Sequence, residues 1–72
     1  MKQISKLVQG NSSYGNIQTV TVTHNLNNLN PYVSIKEETT NSFILTHISY
    51  TLNNLSISGL RTGTRYIVTI IG

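Results

Sequence analysis

The chain of 72 residues contains no cysteine, aspartate, alanine or tryptophan, has one proline, and draws its formal charge from five Lys or Arg and two Glu. Each shortage closes a route. Without cysteine, neither a disulfide framework nor a thiolate zinc site can form. Without alanine and with little glutamate, the strongest helix formers are missing, while abundant Thr, Ile and Val suit a pleated, half-buried surface. No run approaches the roughly 20 apolar residues of a membrane-spanning helix, so membrane insertion is not expected. The opening MKQISKLVQG starts positive but lacks the apolar core, about 7 residues or more, of a secretory signal, and synthesis in the cytoplasm is expected.

The shortage extends to chemistry. Catalysis needs acids, bases or nucleophiles held in pairs. Glu37 and Glu38 are sequence neighbours, so in extended chain they point to opposite sides and cannot flank one bond. His24 and His47 have no Asp or Cys to orient them and read as structural. No Ser sits in a G-x-S-x-G elbow, and the five glycines form neither a phosphate loop nor a dinucleotide fingerprint. The sequence therefore argues against an enzyme, and predicts neither a cofactor nor a metal. The net charge of +3 comes from scattered residues rather than a basic patch, so a nucleic-acid platform built on Tyr14, Tyr32, Tyr50 and Tyr66 with Lys36, Arg61 and Arg65 is disfavoured.

What is present reads as sheet. Ile17 to Leu26 alternates Val20, Val22 and Leu26 with Thr19, Thr21 and Thr23, the period of a strand with one wet face. Pro31 delays the next strand to Tyr32–Lys36, with Val33 and Ile35 inward. Residues 37–41 form a polar hairpin loop. Residues 42–52 read as one strand, with Ile44, Ile48, Tyr50 and Leu52 on one side and Phe43, Leu45 and His47 on the other. Asn53-Asn54 is expected as a two-residue turn into Leu55-Ser56-Ile57, Gly59 and Gly63 bracket the last turn, and Arg65–Ile71 closes the sheet. The division is an N-terminal arm or edge segment over 1–16, with a flexible stretch from Gly10 to Gly15, and a β-domain over 17–72. Five to six short strands at this spacing predict an all-β fold, a small antiparallel β-sandwich or partly open barrel.

The closing strand poses a problem. Tyr66, Val68 and Ile70 face one side and Ile67 and Ile71 the other, so both faces are apolar. A chain of this size hides only about 60% of the surface its unfolded form exposes, and small domains without disulfides or metal compensate by associating. Symmetric copies cover a second face without new sequence. Ile67, Ile71, Leu7, Val8, Phe43 and Leu45 are the expected interface.

In order and spacing, Thr23-His24-Asn25-Leu26, Val33-Ser34-Ile35, Asn54-Leu55-Ser56-Ile57 and the closing Gly63–Gly72 stretch, GTRYIVTIIG, resemble the small β-domains of tailed-bacteriophage structural proteins: head fibres, tail fibres and baseplate parts. The likeness covers residues 17–72. It departs from those domains in the turn Asn27–Pro31 and in lacking Asp-Gly in the middle loop. It implies a virion component, often trimeric, that decorates or attaches to the particle through other virion proteins and performs no catalysis. The expected function is thus a non-enzymatic virion structural protein acting by self-association and docking. The alternatives are a carbohydrate-binding or adhesin module, which would include recognition of a host-surface glycan, and a small barrel for single-stranded nucleic acid.

Overall fold

A computed structural model describes residues 2–72 as two antiparallel sheets packed face to face, without a helix. Seven strands follow in order: β1 (Gln3–Gln9), β2 (Thr19–Thr23), β3 (Tyr32–Glu37), β4 (Phe43–Ile44), β5 (Ile48–Tyr50), β6 (Asn54–Ser58) and β7 (Arg65–Ile71). One sheet has the order β1-β7-β3-β4 and the other β2-β6-β5. The sheets do not close into a barrel, so the architecture is a small β-sandwich.

Alternation builds the core. On β7, Tyr66, Val68 and Ile70 are buried, and they meet Leu55 and Ile57 of β6, Val22 of β2 and Ile35 of β3. Leu60, in the connection between β6 and β7, is also fully buried. Pairing fixes which residues share that face: Val8 lies opposite Tyr66, Ile4 opposite Ile70, Val33 opposite Ile70 and Ile35 opposite Val68. A slip of one residue would turn every one of these side chains outward.

The structure departs from the sequence reading in three places. Residues 42–52 are not one strand. Their first part pairs with β3 in the larger sheet, their last part pairs with β6 in the smaller one, and Leu45-Thr46-His47 crosses between them. Three extended residues span about 10 Å, the separation of two packed sheets. This split accounts for seven strands where five or six are expected.

Second, Gly10 to Gly15 is not a flexible connection. The Gly10 amide donates to the Thr64 carbonyl (2.9 Å), Ser12 N–H to the Leu60 carbonyl (2.9 Å) and Thr62 N–H to the Ser12 carbonyl (2.8 Å). The buried Ser12 hydroxyl donates to the Gln18 carbonyl (3.0 Å) and accepts from the Gln18 amide (2.9 Å). A Cβ on Gly10 would lie 2.0 Å from the Arg61 carbonyl oxygen, so only glycine allows the two backbones this close.

Third, the turn into β6 is centred one residue earlier, on Leu52-Asn53, closed by the Thr51 amide on the Asn54 carbonyl (2.9 Å). It uses no positive φ, and Leu52 sits on the turn rather than inside. Of the two forms expected for the N-terminal segment, residues 3–9 take that of an edge strand, paired along its whole length with the chain's own β7.

Candidate association surface

The two outer faces of the sandwich differ in chemistry. On the smaller sheet, strand pairing places Thr19, Thr21 and Thr23 of β2 opposite Ser58, Ser56 and Asn54 of β6, with Ser49 of β5 opposite Ser56. Every side chain of these strand pairs is a hydroxyl or an amide, with the exposed His47 ring beside Ser49 at the rim. Thr23 donates to the Asn54 side-chain oxygen at 2.7 Å.

The larger sheet presents rows of another kind. Leu7 lies opposite Ile67, Ile67 opposite Lys36 and Lys36 opposite Phe43, a single line across all four strands. A second row joins Gln3, Ile71 and Tyr32, and between the two runs a hydroxyl row of Ser5, Thr69 and Ser34. Leu7 is 56% exposed, Tyr32 67% and Phe43 72%. Ile67 and Ile71 are half-buried, and among the described residues no third sheet or helix packs on that side. Lys36, half-buried, stands between Ile67 and Phe43 in this row, a place where a lysine can cover apolar surface with its stem and keep its ammonium in water. At one rim Arg65 pairs with Glu38 at 2.7 Å, an exposed contact of small energetic weight.

Of the six residues read from the sequence, Leu7, Ile67, Ile71 and Phe43 share this face. Leu45 continues it just past β4 and is wholly exposed, at 102%. Val8 does not belong: it lies opposite Tyr66 and packs against the core, because alternation sends neighbours on β1 to opposite sides. Tyr32 and Lys36 were missed as members, although the alternation that turns Val33 and Ile35 inward turns both of them outward. Among the described residues, eight hydrophobic residues are buried while nine large hydrophobic side chains are exposed. That balance leaves ample apolar surface for a partner to cover.

Other groups do not converge. His24 is buried, accepts the Leu26 amide at Nδ1 (3.0 Å) and donates its own amide to the Asn53 carbonyl (2.8 Å), whereas His47 is exposed beside Ser49. Among the described residues no three of His, Cys, Asp or Glu gather as a metal site, and no helix is long and apolar enough to cross a membrane. Tyr66 is buried and accepts the Arg61 amide at 3.1 Å. Tyr32 lies on the outer face of the larger sheet, Tyr50 on the inner side of β5 and Tyr14 at a loop tip, so these three tyrosines share no stacking platform. No protein-family model, curated protein or solved structure matches this chain.

Proposed function

We propose that this chain is a non-enzymatic structural protein of a virion, a capsid-decoration, head-fibre or tail-fibre component that works by associating with copies of itself and docking to the particle. The observation that supports this reading is the contrast between the two outer faces: a sheet of hydroxyls and amides on one side, and Leu7, Ile67, Ile71, Tyr32 and Phe43 uncovered on the other. Covering the apolar face with sister subunits removes it from water using only the chain itself. The virion setting and the trimeric preference rest on the motif order described above.

Sedimentation velocity at micromolar concentration tests the association. The wild type is expected to sediment as an oligomer. Ile71→Asp should yield monomer or aggregate, because an unpaired carboxylate in a dry contact costs several kcal/mol. A wild type that sediments as a monomer refutes the reading.

A second reading, glycan recognition, is favoured by one feature. Tyr14 is fully exposed on a two-residue turn closed by reciprocal Ser13–Asn16 backbone bonds of 2.9 and 3.0 Å, beside a shallow concavity of about 330 Å³ lined also by Ser12, Ile17 and Arg61. An aromatic ring held on a fixed backbone offers a stacking surface at little entropic cost. Saturation-transfer NMR with a panel of oligosaccharides should then light the Tyr14 ring, and silence across the panel removes this reading.

A further inference from the structure

A sheet edge can be completed only by another strand, and β4 is the edge of the larger sheet. The Glu38 amide donates to the Arg65 carbonyl on β7 (2.9 Å), whereas the Glu37 amide donates to the Ser42 carbonyl on the β4 side (2.8 Å). Successive residues of a ladder aim their backbone groups to alternate sides. With Ile44 opposite Ile35, Ser42 and Ile44 bond inward, and Phe43 and Leu45 turn their N–H and C=O groups away from the sheet. The side chains of both are largely exposed.

We propose that two copies of this chain join along this edge, β4 against β4 in antiparallel register about a two-fold axis at Ile44, so that their larger sheets run on as one eight-stranded sheet. This adds an edge contact, two-fold where the motif order implies a trimer, to the face association proposed above, and rests on that reading. The edge is its own complement. With Ile44 opposite Ile44, Phe43 of each copy lies opposite Leu45 of the other, and these are the residues whose backbone groups face outward. Both outward pairs then form hydrogen bonds, the aromatic and aliphatic side chains meet across the seam, and the Leu7-Ile67-Lys36-Phe43 row of each copy ends on Leu45 of the other.

Chemistry at the other edges favours this one. β5 is also an edge, but its Ile48 and Tyr50 lie opposite the buried Ile57 and Leu55 and so point to the core side, whereas Phe43 and Leu45 are exposed. On β1, Lys6 lies opposite Val68 and so points to the core side of an edge strand, a placement that disfavours further pairing. On β2, the Thr19 carbonyl is already capped by the Asn11 side-chain amide at 3.0 Å. Residues 41–47, Asn-Ser-Phe-Ile-Leu-Thr-His, contain no Lys, Glu or Pro to protect the β4 edge. Because the contact maps β4 onto β4 about a two-fold axis, it is isologous and closes at two copies instead of running on as a fibre.

The register makes the test specific. The chain has no cysteine, so any disulfide must join introduced residues. Hydrogen-bonded antiparallel partners have Cα atoms about 5.5 Å apart, within reach of a disulfide. Diagonal neighbours, at about 7–8 Å, are beyond it. Under mild oxidation, a mixture of Phe43→Cys and Leu45→Cys chains should therefore give a covalent dimer, while neither variant alone should do so. Circular dichroism confirms that both fold. In the unsubstituted protein, the Phe43 and Leu45 amides should become protected from hydrogen exchange as concentration rises through the association range. An oligomeric wild type with no cross-link in the mixture and fast-exchanging Phe43 and Leu45 amides overturns the edge contact and leaves the face contact standing. A wild type that is monomeric throughout overturns both.

Discussion

Phe43→Ser separates association from folding more cleanly than any other change on the surface. The side chain is 72% exposed in the isolated chain. Aromatic side chains bury about 150–250 Å², so roughly 110–180 Å² remains for a partner to cover. At about 25 cal/mol per Å² this bounds the gain near 3–4 kcal/mol per copy, and the transfer of a Phe side chain gives about 2 kcal/mol. The lower figure is the better guide, because ordering and desolvation consume part of the area term. A two-fold contact contains the residue twice, so the substitution should weaken dimerisation by about 4 kcal/mol, roughly a thousandfold in Kd. Within its own chain Phe43 has little to lose, and the urea midpoint of the monomer should shift by no more than about 0.5 kcal/mol in equivalent stability. Sedimentation velocity over a concentration series reads the first quantity, and urea unfolding below the dissociation constant reads the second. A variant that associates within tenfold of the wild type refutes the surface assignment. So does a monomer stability that falls as far as the affinity, for Phe43 would then be part of the fold.

The thin core gives a complementary set. Leu60→Ala, at a fully buried site, should cost about 2–5 kcal/mol out of a total near 4–11 kcal/mol for a chain of this length; thermal unfolding by circular dichroism should fall by at least about 10 °C, while exposed Leu29→Ala should hardly move it. Tyr66→Phe removes the hydroxyl that accepts the Arg61 amide and should lower stability by about 1 kcal/mol, measured by urea unfolding; an unchanged midpoint would mean that water replaces the bond without loss. Gly10→Ala drives a methyl group into the Arg61 carbonyl and should expose the Ser12 and Thr62 amides to rapid hydrogen exchange, with retained protection counting against the close approach.

Local patterns carried much of this architecture. The alternation Tyr66-Val68-Ile70 against Ile67-Ile71 needs no tertiary information, and the same holds for Thr19–Thr23 and for the inward Val33 and Ile35. Residues 42–52 fail for a physical reason: period-2 patterning continues through Leu45–His47 even though the chain there leaves one sheet for the other, and alternation is blind to which neighbour a strand pairs with. Leu60 shows no period at all, standing alone between glycines, so its burial depends on the loop Gly10–Gln18 folding over the same end. That loop was unreadable because its order comes from long-range backbone bonds to Leu60, Thr62 and Thr64, whereas its composition of Gly, Asn and Ser usually means slack. The apolar surface was legible strand by strand, except that Val8 was grouped with Leu7; the row from Leu7 to Phe43 exists only once β1, β7, β3 and β4 lie side by side.

The hydroxyl and amide face of the smaller sheet has a further consequence. In the assembly proposed above, subunits that meet through their greasy side would wear this other side as a coat, and that coat carries no formal charge on Thr19, Thr21, Thr23, Ser49, Asn54, Ser56 or Ser58. Counterions have almost nothing there to screen. Its colloidal encounters are therefore governed by the strength with which water holds to hydroxyls, and change little between dilute and concentrated brine.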